Sequence, residues 1–290
     1  MNTTCICILN YNNGLKTTRC ISAVLNQTLR NFRVIIIDNR STDDSLSVIQ
    51  EFLEKNKLRY RLAEHDNKFW DSLSCPDEIL LVRSDRNGGY STGNNIGIRL
   101  AKSVNIFSNI LIINNDVELG ENFLEEMVKR FEDLRKHYRT GRIALGAIEL
   151  CVDGKIRHTG FHYLHLLSGI VFSSPVFPSL RYIVGSCIFT GIDAPLLDES
   201  FFLYFDDTQY SKILLRNGYI LENSPGSFFI HEKERRFNLG LQWQIFKSLV
   251  HFYRLRYPFL LPVVVPIRLL LLLYLRLKSM MQAKGFTQSQ

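Results

Sequence analysis

Four short apolar runs in the first half of the chain each stop on a cluster of amides, carboxylates or glycines. The runs are Thr4–Leu9, Phe32–Ile37, Glu78–Val82 and Ile110–Ile113, and the clusters that follow are Tyr11-Asn12-Asn13, Asp38-Asn39, Asn87-Gly88-Gly89 and Asn114-Asn115-Asp116. A continuous run of this length predicts a strand covered on both faces, the pattern of parallel sheets flanked by helices. Between the runs the period changes. Ile21, Val24, Leu25 and Thr28 mark one helical face, Leu46, Ile49 and Leu53 a second, and Phe123, Met127, Phe131 and Leu134 a further one, with another helix starting inside STGNNIGIRLAKS. Ser41 or Thr42 is the expected cap of the second helix, with Asp43 and Asp44 at its positive end. Alternation of this kind predicts a three-layer α/β domain with a mostly parallel central sheet. In such sheets ligands bind beyond the carboxyl ends of the strands, so the four polar clusters are expected to converge on one edge.

The rhythm breaks twice. Residues 64–77 (EHDNKFWDSLSCPD) read as a surface insertion with a Phe69-Trp70 tip, and from about residue 141 the alternation gives way to aromatic, turn-rich sequence that predicts a second lobe. The expected division is a first half at 1–140, a second half of the same domain at 141–240, and a C-terminal helical tail at 241–290.

With 290 residues, 46% of them hydrophobic, the chain can bury a full core. Its net charge of +7 favours an anionic partner without choosing among nucleic acid, a diphosphate and an acidic membrane surface. The six cysteines form no CxxC pair and no zinc spacing, and read as reduced, buried thiols. MNTTCICILNYN has no basic segment followed by a long apolar stretch, so the expectation is a cytoplasmic catalytic part.

Three segments carry chemistry. LIINNDV ends an apolar run on Asp116, which suits either a solvated cap or a hard oxygen ligand for Mg²⁺ or Mn²⁺. FFLYFDDTQY places Asp206 and Asp207 together after an aromatic run; paired acids in such surroundings have raised pKa values, as a general base requires, although the same pair also suits a helix start. His231 follows SFFI and precedes KERR, where Arg235 and Arg236 could clamp phosphate on a closing loop or stay solvated.

The tail is the most apolar part. Phe259–Leu277 spans nineteen residues, about 28 Å as a helix. Pro262, Pro266, Arg268 and Arg276 interrupt it, which favours a helix lying on a membrane surface with Arg254, Arg256, Arg268, Arg276 and Lys278 at anionic headgroups. Packing on the protein's own core or in a dimer is the alternative.

Taken in order, ILNYNNGLKTTRCISAVLNQT, VIIIDNRSTDDS, RNGGYSTGNNIGI, LIINNDV, DESFFLYFDDTQYSKILLRNGY and the following IH resemble the family 2 inverting glycosyltransferases of GT-A fold. The likeness is strongest to the bacterial, rhamnosyltransferase-like branch that builds O-antigen and capsule polysaccharides. It implies transfer of a hexosyl group from a dTDP- or UDP-linked sugar to a lipid-linked or growing polysaccharide acceptor at the inner face of the cytoplasmic membrane, with a divalent cation and no nucleic-acid partner. By the same likeness Tyr11, Asn12, Asp38 and Asn39 meet the nucleotide, and Asn87, Gly93 and Asn94 belong to a glycine-rich loop over the sugar nucleotide. Asn115 flanks Asp116 in the metal motif, Asp116 and His231 hold the cation, and Asp207 is the base with Asp206 beside it. Gln209 departs from the pattern, since many relatives have an acid there. A nucleotidyltransferase of related fold and a non-catalytic membrane-bound protein are the competing readings.

Overall fold

The computed structural model describes residues 3–64, 79–231 and 238–286, with side chains to 278; Phe69-Trp70, Arg235 and Arg236 lie outside the described residues. The first half contributes β1 (Thr3–Asn10), α1 (Gly14–Leu25), β2 (Phe32–Asp38), α2 (Ser45–Lys55), β3 (Tyr60–Glu64), β4 (Ile79–Arg83), α3 (Gly89–Val104), β5 (Phe107–Asn114), β6 (Val117–Leu119) and α4 (Phe123–Tyr138). There follow β7 (Ile143–Leu150), β8 (Ile156–His158), β9 (Phe161–His165), β10 (Val171–Phe172), β11 (Ser179–Ile183), β12 (Cys187–Gly191), α5 (Asp206–Arg216) and β13 (Ile220–His231). Two helices, α6 (Leu239–Arg256) and α7 (Leu261–Phe286), close the described chain.

Alternate side chains of β1 face opposite ways, which is what a strand buried on both faces demands. Ile6 and Ile8 pack with Ile21 and Val24 of α1, Ile49 and Leu53 of α2, and Phe123 and Met127 of α4. Cys5 and Cys7 pack with Ile96 and Leu100 of α3 and with Tyr210 and Leu214 of α5. The central sheet runs β3-β4-β2-β1-β5-β12-β7-β13-β6, with β8 on β7. β3, β4, β2, β1 and β5 are mutually parallel, while β12 enters antiparallel between β5 and β7 and β13 runs parallel to β7. The second half therefore completes the sheet of the first. Strands β9, β10 and β11 form a separate small sheet.

A third apolar cluster fastens the tail to this frame. Leu249, Phe252 and Tyr253 of α6 and Val264 of α7 pack on Leu164, Tyr182, Phe201 and Phe205. Phe201 and Phe205 belong to the segment leading into α5, so the C-terminal helices hold the approach to Asp206 and Asp207.

Local details differ from the sequence expectations for physical reasons. α1 ends at Leu25, and Thr28 instead donates to Glu125. α2 begins after Asp44, and Asp43 accepts from the Ser45 N–H at 3.0 Å, because Ser41 and Thr42 are engaged by Asp38 and Asn12. Pro262 and Pro266 do not break α7: Pro262 stands in the first turn, where its missing N–H has no intrahelical partner to lose, and Pro266 is carried inside the helix.

Candidate active site

The parallel register sets the ends of the strands level. Asn10 pairs with Asp38, Asp38 with Arg83, and Leu9 with Asn114, so the polar clusters meet along one edge. Their first use is to hold one another. Asp38, only 1% exposed, accepts from the Asn10 amide at 2.8 Å, the Ser41 hydroxyl and the Ser41 backbone N–H. The Asn10 carbonyl in turn accepts from Thr17 at 2.7 Å and from the Asn115 amide at 3.0 Å. A fully satisfied polar network of this kind rigidifies the edge it occupies.

The remaining expected nucleotide residues divide between surface and scaffold. Tyr11 is 43% exposed, and Asn12 pins the 41–42 turn by accepting from the Thr42 N–H at 2.7 Å. Asn39 is buried and bridges to the Asn87 side chain and the Gly89 carbonyl, each at 3.0 Å. Gly93 lies where an added Cβ would stand 2.5 Å from Leu9, which lets α3 approach β1, and the buried Asn94 bonds back to the Tyr90 carbonyl. Asn39, Gly93, Asn94 and Asn115 thus sit beneath the edge, while Tyr11 and Asn12 sit on it. Asn10 and Thr17, which tie the edge together, escape sequence reasoning because they read as the last residue of a strand and a helix hydroxyl.

Asn114, Asp206, Asp207 and His231 line a cavity of about 390 Å³ together with Tyr90, His162, Tyr182, Gly185 and Arg268. Three separate elements supply those first four residues. β5 carries Asn114, the first turn of α5 carries both acids, and His231 ends β13. Tyr204 and Phe205 both adopt left-handed backbone, φ 67° and 60°, immediately before α5. Such conformations cost of order 1 kcal/mol or more for non-glycine residues and persist where packing imposes them; here Phe205 is locked against Phe252, ring centroids 5.8 Å apart.

The two acids differ. Asp207 accepts the Gly185 N–H at 3.1 Å and the Thr208 N–H at 2.7 Å, bonds that favour its charged form. An added Cβ at Gly185 would lie 3.1 Å from the Asp207 Cβ, so glycine is what lets this backbone N–H come so close. Burial, and then the neighbouring charge of Asp207, push the Asp206 carboxyl up to about 8. Although Asp206 also accepts the Asp207 N–H at 2.7 Å, burial outweighs that bond, and near neutral pH Asp206 holds its proton.

That division has a measurable consequence. The folded protein keeps the Asp206 proton to about pH 8, whereas an unfolded aspartate releases it near pH 3.9. Between those values the folded state binds more protons, so its stability falls as pH rises through the window. Asp206→Asn removes this titration. From about pH 6 to 8 the variant is expected to gain stability over the wild type by up to about 1.4 kcal/mol per pH unit, read from melting curves. Parallel pH profiles for the two proteins would contradict a buried, protonated Asp206.

Asp116 reaches the same cavity through His231. His231 Nε2 stands 3.0 Å from Asp116 Oδ1, yet Oδ1 is buried and accepts no hydrogen bond. Two ligands at about 2.1 Å from one Mg²⁺- or Mn²⁺-like ion, at right angles, lie about 3.0 Å apart, so this spacing fits a shared cation. Behind the ring, His231 Nδ1 faces Glu149 Oε2 at 3.6 Å. The fully buried Glu149 is fixed by Arg157 and by His158 Nε2 at 2.8 Å, and the Arg157 guanidinium also donates to the His231 carbonyl at 3.1 Å. Glu149 thus backs the imidazole on the side away from Asp116, the place taken by the carboxylates that orient metal-ligating histidines. Glu149, Arg157 and His158 carry no sequence signal; only the pairing of β7 with β8 brings them together. On its other side Asp116 borders a cleft of about 210 Å³ with Lys16, Arg19 and Glu118.

Gln209 is buried between charges. Its amide donates to Asp198 at 2.7 Å and its carbonyl accepts from Arg256 at 2.7 Å. An amide is the side chain that can satisfy a carboxylate and a guanidinium at once. The residue therefore ties α6 to the base of α5, and Arg256, expected at a membrane surface, is turned inward.

A larger cleft of about 1050 Å³ lies at the opposite edge of the sheet, lined by residues such as Asn109, Arg142, Gly191 and Tyr219. It contains none of the residues at the carboxyl ends of the parallel strands, where ligands of such sheets bind. The smaller cavity, holding both carboxylates and His231, has the chemistry.

Comparison with known proteins bears on the family and the fold. The glycosyltransferase GlyG of Streptococcus pneumoniae is 26% identical over 123 residues, 42% of this chain and 33% of that protein. Among solved structures, GalNAc-T7 with UDP, GalNAc and Mn²⁺ has a TM-score of 0.60 at 15% identity, over 88% of this chain and 48% of that one. The Pyrobaculum calidifontis mannosyltransferase PcManGT, with GDP-Man and Mn²⁺, has a TM-score of 0.57 at 13% identity, over 87% and 63%. The chain thus spans a third of the curated relative and about half to two thirds of these structures, whose likeness shows a GT-A-like fold. The model of glycosyl transferase family 2 matches residues 5–149, half of the chain, and the protein belongs to that family.

Proposed function

We propose that the protein is an inverting glycosyltransferase that moves a hexosyl group from a dTDP- or UDP-linked sugar to a hydroxyl of a lipid-linked or growing polysaccharide, at the inner face of a bacterial cytoplasmic membrane. The observation that carries this reading is the single cavity in which the Asp206–Asp207 pair faces His231 and, through it, Asp116. The fold and family support glycosyl transfer and weigh against the nucleotidyltransferase and non-catalytic readings.

In this account the nucleotide lies over the rigid edge made by Asn10, Asp38, Asn39 and Asn115, with Tyr11 and Asn12 beside the base and Asn87 near the ribose and phosphates. Arg235 and Arg236 are proposed to clamp the diphosphate. Asp116 and His231 would hold a Mg²⁺ or Mn²⁺ ion, which when bound offsets the charge on the departing nucleoside diphosphate. The ionised Asp207 takes the proton of the acceptor hydroxyl. The freed oxygen forms its bond to the anomeric carbon as the bond to phosphate breaks, the electron pair leaving with the diphosphate; attack from the opposite face inverts the anomeric centre. Asp206, uncharged near pH 7, leaves Asp207 as the single negative group next to the acceptor.

The test is a panel of dTDP- and UDP-sugars with Mn²⁺, read as nucleoside diphosphate release and as protection against thermal unfolding. At least one donor is expected to raise the melting temperature by several degrees and to be turned over, in a Mn²⁺-dependent manner. Absence of both effects across the panel would sink the assignment.

A further inference from the structure

Arg268 was expected among headgroups, but it lines the cavity that contains Asp207. It stands one helical turn after the fully buried Val264, on the inner face of α7, and its stem passes against Gly169 at the β9–β10 turn, where an added Cβ would lie 3.4 Å from the arginine Cδ. The guanidinium Nε is buried and makes no hydrogen bond. A cation placed in this way calls for an anion in the cavity, since burying it without one is costly. A carboxylate of the catalytic pair does not fill the role: Arg268 forms no ion pair with either acid, and the group whose charge bears on it is the Tyr253 hydroxyl. The rest of α7 offers the opposite chemistry. Pro258–Lys278 is long and apolar enough to cross a membrane by length and composition, and Leu269, Leu270, Leu273, Tyr274 and Leu277 are exposed on it. Arg276 and Lys278 stand exposed at its distal end.

A charged group turned into the cavity and an apolar surface turned out of it, on one helix, match an amphiphile with a phosphate at its junction. We infer that Arg268 binds the phosphate of an acceptor in which a sugar is joined through phosphate to an apolar chain, the sugar hydroxyl reaching Asp207 and the chain lying along the exposed face of α7. This rests on the proposed glycosyl transfer and names its acceptor class. Arg268 is then a specificity residue for the acceptor, separate from the donor's cation site at Asp116 and His231.

The test uses farnesyl diphosphate as the probe, with farnesol and inorganic pyrophosphate as its two halves, and measures binding to the full chain by calorimetry alongside binding of UDP and dTDP with Mn²⁺. For the wild type, farnesyl diphosphate is expected to bind at least about tenfold more tightly than either half. Arg268→Ala should weaken it about 10- to 100-fold, the usual worth of a charge-assisted pair, while Arg268→Lys retains part of the affinity. Nucleotide binding and melting temperature should be unchanged in both variants. Equal farnesyl diphosphate affinity in the wild type and Arg268→Ala, or no binding to the wild type, would overturn the inference. So would pyrophosphate binding as well as farnesyl diphosphate, which would mark a plain phosphate site, or loss of nucleotide affinity in Arg268→Ala, which would place the arginine on the donor. Failure of the proposed function itself appears separately, as a wild type that binds neither nucleotide.

Discussion

Asp207→Asn is expected to lower sugar transfer by about 10²- to 10⁴-fold while nucleotide binding in the presence of Mn²⁺ stays within a few-fold of the wild type. The range is what a positioned general base contributes. An amide has nearly the shape of the carboxylate and can still accept the Gly185 and Thr208 N–H groups through its oxygen, so α5 should begin as before. What it cannot do is take a proton. Measuring transfer rate and nucleotide affinity on the same preparation separates the two roles, because loss of both together would mean that the residue serves the fold of the cavity. Asp206→Asn supplies the contrast: it replaces a carboxyl that is already uncharged near pH 7, so its effect on transfer at that pH should be much the smaller.

The second large effect is expected at Asp116. Its Oδ1 is buried, accepts no hydrogen bond and lies 3.0 Å from His231 Nε2, an arrangement that suits a bound cation better than an empty one. Asp116→Ala leaves the histidine as the lone ligand of this pair, and Mn²⁺ affinity in the presence of nucleotide should fall by at least about 100-fold, since even outer-shell losses cost 10- to 100-fold. Transfer should drop by about 10³-fold, corresponding to about 4 kcal/mol of lost stabilisation of the leaving diphosphate. Titration of Mn²⁺ into protein with UDP or dTDP measures the first quantity and initial rates the second. Unchanged metal affinity in this variant would remove Asp116 from the cation site.

Much of the sheet can be read from the chain because burial on both faces leaves continuous apolar runs, and these became β1, β2, β4 and β5. β3 escapes such reading: Tyr60–Glu64 is an edge strand with Ala63 as its buried residue, and edges tolerate the charges of Arg61 and Glu64. In the second half the strands that complete the sheet come from distant stretches, β7, β12 and β13, and no local period announces that a five-residue strand will insert between β5 and β7. The site divides along the same line. Asp116, Asp206, Asp207 and His231 stand at the ends or starts of elements, where a sequence shows them. Whether a polar residue at a strand end faces a ligand or a neighbour depends on partners far along the chain, and Asp38 with Asn10, Asn39 with Asn87 and Asn115 with Thr17 were found facing each other. The orientation of Arg268 is likewise a property of packing, set by Val264 and the α6 contacts in the third cluster.

The most direct measurement of the central claim is the position of Mn²⁺ in crystals grown with UDP or dTDP, located by its anomalous scattering. The ion is expected between Asp116 and His231, within about 2.0–2.3 Å of a ligand atom of each, with the diphosphate on it and the side facing Asp207 left open for the sugar. A nucleotide seated instead in the wide cleft at the opposite edge, beside Asn109 and Arg142, or a metal ion held away from Asp116, would contradict the account.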